Sequence, residues 1–299
     1  MTLYTQTYGQ DIEQASPGTD SASPLRRAPL LIVHGLFGSS DNWHGIAQKL
    51  AADRLVVTMD LPNHGRSQHF PRADYDVLSD AVLQVASDIA SGAITPPGDG
   101  GPATAPAAPV VLGHSMGGKA AMVAALRQPE SLAGIIVADI APVRYPPHHK
   151  AILKGLQALA EHNVADRREG DQLLSTHVPD KMVRAFLLKN LAPADDEGYY
   201  LRLNEEAIRK DYDAISGFPE LDLPAYEGPV RVIRGLKSDY VAQGLAPFAQ
   251  LFPSADLADV PDAGHWLHAE NPGAFLQAVE EFMHAIDTNA SHTGPGTHE

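Results

Sequence analysis

The chain has 299 residues, of which 44% are hydrophobic and 20% charged, with no cysteine and a formal net charge of −15. An acidic surface repels nucleic acid and anionic lipid, which argues against both as partners. Zero cysteines exclude disulfides, Cys-ligated zinc and a thiol nucleophile, and fit a reducing compartment. No run reaches the eighteen or so apolar residues of a membrane span. Met1 to Asp20 lacks a basic region followed by an apolar one, so a cytoplasmic protein without a leader is expected.

In chain order, Leu3 to Tyr8 is a weak strand, Ser16 to Pro24 a turn-rich stretch, and Pro29 to Val33 a buried strand ending in His34-Gly35-Leu36-Phe37-Gly38. Asp41 is placed to cap a helix running to Leu50. Arg54 to Asp60 is the next strand, and Leu78 to Ala90 carries apolar residues at helical spacing. Residues 91–109, rich in Gly, Pro and Ala, read as a flexible surface insertion. Val110 to Leu112, Leu132 to Ile140, Pro229 to Arg234 and Asp256 to Val260 supply further strands. Lys119 to Arg127, Leu245 to Leu251 and Gly273 to Ile286 supply helices. Between Val143 and Tyr226 the pattern is helical, at Ala151–Glu161, Asp171–Thr176, Lys181–Asn190 and Glu205–Tyr212, with no strong strand. The expected division is an α/β core over residues 1–142 and 227–287, a helical cap over 143–226, and a disordered polar tail over 288–299.

Strands alternating with helices imply a mostly parallel sheet covered on both faces. Ligands then bind beyond the carboxyl ends of the strands. His34-Gly35, Asp60, Ser115, Asp139, Ser238-Asp239 and His265 all follow strands and so converge at that edge. Among them Gly113-His114-Ser115-Met116-Gly117 joins an apolar strand to an Ala-rich helix, the setting of a nucleophile elbow that turns a serine Oγ outward.

A serine hydroxyl needs a base, and His265, after the last strand, is the best placed of fourteen histidines. His114 reads as packing, His34 as organising its loop, and His64, His148 and His149 as surface or pocket-rim residues. The oxyanion of a tetrahedral intermediate needs two donors, for which the N–H groups of Met116 and Leu36 are positioned. Phe37 and Trp43 either wall an apolar pocket or pack in the core. The acid that orients His265 is Asp139 or Asp239. Asp139 is favoured because a carboxylate ending the apolar run Ile135-Ile136-Val137-Ala138 must be paired. No His-Glu-x-x-His spacing occurs, so neither a metal nor a cofactor is expected.

These pieces together resemble the α/β-hydrolase superfamily. More narrowly they are similar to the YbfF-type bacterial esterases and their mitochondrial abhydrolase relatives. The resemblance rests on His34 to Ser39, Asp60 with Asn63-His64-Gly65, Gly113 to Lys119, Asp139 to Val143, Phe186 to Lys189 and His265 to Glu270. It implies a mostly parallel eight-stranded sheet with a helical cap inserted between strands six and seven. It also implies a serine hydrolase acting on small-molecule carboxylic esters, with Asp139 as the acid after the sixth strand. Acyl thioester hydrolysis and acyl transfer use the same triad, and a non-catalytic ligand-binding homologue is the third alternative.

Overall fold

The computed structural model describes residues 1–9, 27–96, 107–195 and 197–292. The expectations for Ser16 to Pro24 and for most of the 91–109 insertion lie outside them.

Seven strands form one sheet: β1 (Thr5–Tyr8), β2 (Leu30–Val33), β3 (Val56–Met59), β4 (Val110–His114), β5 (Gly134–Ala138), β8 (Val230–Gly235) and β9 (Ala255–Val260), in the order β1-β3-β2-β4-β5-β8-β9. Only β1 is antiparallel, pairing Thr5 with Met59; the other pairings are parallel. Among the described residues the sheet thus has seven strands, against the expected eight, and β1 pairs along the edge of β3. The insertion expected between strands six and seven lies between the fifth and sixth strands of this sheet, β5 and β8.

Strands β2 to β5 are wholly buried because helices cover both faces. Alternation along each strand divides the core into two layers. Leu31, Val33, Val111, Ile135 and Val137 pack with helices α2 (Tyr75–Ala90) and α3 (Met116–Arg127). Leu30, Ile32, Val110, Leu112 and Ile136 pack with α1 (His44–Leu50) and the last helix. That last helix, α9 (Pro272–His292), continues past the expected boundary at residue 287, so 288–292 are helical rather than disordered. Asp287, buried, accepts from Arg54 at 2.9 Å and from the Ala28 N–H at 2.8 Å, which anchors the helix beside the stretch leading into β2.

Residues 143–226 carry α4 (Lys150–Glu161), α5 (Arg167–Ser175), α6 (Lys181–Leu187), α7 (Glu205–Lys210) and α8 (Tyr212–Ser216). They also hold a short antiparallel pair, β6 (Leu191–Pro193) and β7 (Tyr199–Leu201), which sequence reading missed; three residues are too few to display a period of two. Lys119, buried in α3, ties this segment down by donating to the carbonyls of Val143 at 2.8 Å, Ser216 at 3.1 Å and Gly217. Burial pulls its ammonium down to about 7, against three acceptors that match its three donors.

Two helix expectations are corrected. Asp41 caps nothing: Ser40–Trp43 form a 3₁₀ turn, and the Asp41 carboxylate pairs with Arg66 at 3.2 Å. Leu245 to Leu251 forms only a 3₁₀ turn at Ala246–Phe248, since Pro247 removes a donor.

Candidate active site

The chain leaves β2 toward β3 on one side and returns to β4 on the other, so a crevice opens where the strand order reverses. Ser115 stands there between β4 and α3 with φ 52° and ψ −121°, in the left-handed region that side chains rarely adopt. The two glycines of the motif make this possible. A Cβ on Gly113 would overlap the Gly117 carbonyl, and one on Gly117 would overlap that of His34. The Ser115 N–H still bonds Ala138 O at 3.0 Å, so the strained residue remains stitched to β5.

Ser115 Oγ lies 3.1 Å from His265 Nε2, and His265 Nδ1 lies 2.8 Å from Asp139 Oδ2. Asp139 follows β5, also with positive φ, and is fully buried. Its other oxygen accepts the Gly235 N–H at 3.1 Å, and Oδ2 accepts the Ser238 hydroxyl. Asp239, the alternative acid, is exposed one residue beyond Ser238. The carboxylate facing the imidazole therefore comes from β5, while the loop after β8 contributes the serine that holds it.

The His265 loop is braced from three sides. Glu270 accepts the N–H groups of Gly264 at 2.8 Å and Trp266 at 3.2 Å. His114 Nε2–H donates to the His265 carbonyl at 2.8 Å. Tyr240 stacks on the imidazole with ring centres 4.1 Å apart. His114 does pack, against Trp43 and His268, but it also positions the loop. Sequence reading missed that role and that of Ser238, because each depends on a partner far along the chain, and it missed the local brace from Glu270, whose partners are the backbone N–H groups six and four residues before it.

Met116 is the first residue of α3, where a backbone N–H has no intrahelical acceptor and the helix dipole is positive. Leu36 sits in the turn closed by Gly38 N–H to Gly35 O at 3.0 Å. Beside it Phe37 has φ 62° and is clamped at both ends: its N–H donates to His64 Nε2 at 3.3 Å, and its carbonyl accepts from Asn190 at 2.9 Å. His64 donates in turn from Nδ1 to Pro62 O at 2.9 Å, which fixes the tautomer. His34 bonds Gly35 O through Nδ1 and accepts the Leu61 N–H through Nε2 at 3.0 Å. Asp60, also buried, accepts the N–H groups of Ser40 and Arg66 and braces the loop carrying His64.

His64, expected at the surface or pocket rim, is instead 1% exposed and buried beneath the Leu36 turn. Burial lowers its pKa to about 3. Burial likewise lowers His34, and pushes His114 well below its ordinary value. His148 is exposed, whereas His149 is half-buried and lines the crevice.

A cavity of about 410 Å³ lies over Ser115, walled by Phe37, Trp43, Phe186, His265, Trp266 and His268 among others. Phe37 and Trp43 thus both line it and pack in the core. A second, smaller cavity of about 40 Å³ also borders Ser115.

The sequence profile of the Alpha/beta hydrolase family matches residues 30–278. The chain is 36% identical over 265 residues to the sn-1-specific diacylglycerol lipase ABHD11 of Danio rerio, covering 85% of this chain and 78% of that protein. To the esterase YbfF of Escherichia coli K12 it is 29% identical over 259 residues, covering 86% and 93%. Among solved structures, a marine microorganism esterase superposes with a TM-score of 0.79 at 30% identity, over 94% of this chain and 99% of that one.

Proposed function

The chain belongs to the α/β-hydrolase family, and from that premise we propose that it is a serine carboxylic-ester hydrolase acting on small to medium acyl esters. Its relatives include an esterase and a lipase, which supports ester hydrolysis as the reaction class. The observation that carries the finer reading is the 3.1 Å contact of Ser115 Oγ with His265 Nε2, continued at 2.8 Å to Asp139.

In this mechanism His265 takes the Ser115 proton as Oγ attacks the acyl carbonyl. Asp139 holds Nδ1–H and stabilises the imidazolium. The N–H groups of Leu36 and Met116 receive the oxyanion. The imidazolium then protonates the departing alcohol, leaving an acyl-enzyme on Ser115. Water, deprotonated by His265, releases the acid. No step calls on a metal or a cofactor, and the cysteine-free composition supports a cytoplasmic setting.

Ser115→Ala tests the reading. Hydrolysis of p-nitrophenyl esters is expected to vanish with the fold retained, and a fluorophosphonate probe is expected to label wild type but not the variant. Unchanged turnover in Ser115→Ala would overturn it. The apolar walls of the larger cavity, Phe186 and Trp266 among them, favour a second outcome in which an alcohol or a thiol replaces water or the leaving alcohol. Product analysis with competing alcohols and with acyl-CoA distinguishes acyl transfer and thioester hydrolysis from simple ester hydrolysis.

A further inference from the structure

The crevice over Ser115 is divided unequally. Leu36, Ser115 and His149 border both cavities, so the serine lies on the partition between them. The larger, about 410 Å³, is the one that His265, Trp266 and His268 line. The smaller, about 40 Å³, is closed by Met116, Ile140, Tyr145, Tyr212, Ile215 and Tyr240. An ester attacked at Ser115 sends its two limbs to opposite sides of the reacting carbon, one into each space.

Proton delivery decides which limb goes where. The leaving oxygen must come within reach of His265 Nε2 to be protonated, so the alcohol limb belongs in the cavity that His265 lines. The acyl limb is left with the smaller cavity. On the scale of an apolar cavity of about 150 Å³ that holds benzene, 40 Å³ takes about two carbons and 410 Å³ about sixteen heavy atoms. The walls of the smaller space do not yield readily. Tyr212 Oη accepts the His149 N–H at 3.0 Å and contacts His149 Nδ1 at 2.8 Å, while Tyr145 Oη donates to Tyr240 O at 2.6 Å and accepts the Ala141 N–H. The exposed Met182 of α6 borders the larger cavity, which opens a route for a long limb toward solvent.

We propose that the preferred substrates are short-acyl esters, acetyl to propionyl, of large apolar alcohols. The assignment rests on Ser115 and His265 acting as nucleophile and base.

Two substrate series test it on the full chain. With p-nitrophenol as the constant leaving group and acyl chains of two, three, four, six and eight carbons, kcat/KM is expected to peak at two or three and fall about tenfold or more by eight, as overpacking of a rigid pocket requires. With acetate as the constant acyl group, kcat/KM is expected to rise from ethyl through hexyl to decyl alcohols. Ile215→Ala, which enlarges the smaller cavity, is expected to raise the eight-carbon to two-carbon ratio about fivefold or more. Rates that climb with acyl length, or acetates that worsen as the alcohol grows, overturn the assignment even if the Ile215 variant fails to fold. Long-acyl preference with Ser115 labelled by a fluorophosphonate overturns only the size assignment. No turnover of any ester together with an unlabelled Ser115 overturns the serine-hydrolase reading itself.

Discussion

The imidazole of His114, immediately before the candidate nucleophile, donates from Nε2 to the backbone carbonyl of His265 at 2.8 Å. The end of β4 therefore holds both the hydroxyl and, through one hydrogen bond, the loop of the imidazole that faces it. His114→Leu keeps an apolar filler but leaves that carbonyl without its donor. Ester turnover is expected to fall about 10- to 100-fold, the cost of a shift on the order of 1 Å at the reacting pair. KM is expected to change little. Steady-state kinetics on purified variant and wild type check the split; equal kcat values would remove His114 from the positioning of His265.

The two acids separate by mutation. Asp139→Asn preserves shape but forces the imidazole toward the wrong tautomer, and kcat is expected to drop by about 10⁴, as in other triads. Asp239→Asn, on an exposed residue, is expected to stay within about twofold, the ordinary outcome of a surface change. A larger loss in Asp239→Asn than in Asp139→Asn would reverse the assignment.

Three buried histidines make the fold acid-sensitive. His34, His64 and His114 have pKa values lowered by burial, His64 to about 3, so the folded chain keeps them neutral where the unfolded chain protonates them near 6.5. The unfolded state then binds more protons below pH 6.5, and stability is lost as pH falls through that value. At pH 5 His64 alone costs about 2 kcal/mol, and His34 and His114 add to the loss in the same direction. The urea midpoint is expected to be lower at pH 5 than at pH 7.5, and His64→Gln is expected to flatten the dependence. A midpoint unchanged across that window would contradict the burial argument.

Lys119 fastens residues 143–226 to α3 through three carbonyls. Lys119→Met retains most of the buried stem and strands those acceptors, at a cost of about 1–3 kcal/mol. Limited proteolysis is expected to cut within 143–226 sooner than in wild type, with a lower Tm. Proteolysis at wild-type rate would assign the attachment to other contacts.

Asn190→Ala tests the clamp on the Leu36 turn, the proposed oxyanion site. Asn190 bonds Phe37 O from the segment over the crevice, while His64 holds the Phe37 N–H from beneath. With one side released, the neighbouring Leu36 N–H is expected to lose alignment with the developing oxyanion. A fall in kcat of about tenfold, with fluorophosphonate labelling of Ser115 slowed in step and Tm unchanged, is the expected signature. Equal kcat values in variant and wild type would remove Asn190 from the positioning of that turn.

Most of the sheet is legible in the sequence because burial on both faces writes strands β2 to β5 as continuous apolar runs. The Ser115 elbow is legible for a related reason: a sharp turn between a buried strand and a helix demands small residues at fixed offsets. Short elements are not legible. The three-residue β6 and β7 carry no period, and the Ser40–Trp43 turn looked from its acidic residue like a capped helix.

What the order of residues determines by itself is the set of strand ends and the reactive side chains that follow them, because secondary structure is written in local periodicity. Which of those side chains meet is a matter of strand register and loop closure over long separations. Ser115 and His265 are 150 residues apart, and His265 and Asp139 are 126 apart. Only the packed sheet turns Asp139 toward the imidazole and leaves Asp239 in solvent, buries His64 under the Leu36 turn, and sets a 40 Å³ space against a 410 Å³ one across a single serine. Those contacts belong to residues brought together by burial of the two core layers, and no window along the chain contains both members of any pair.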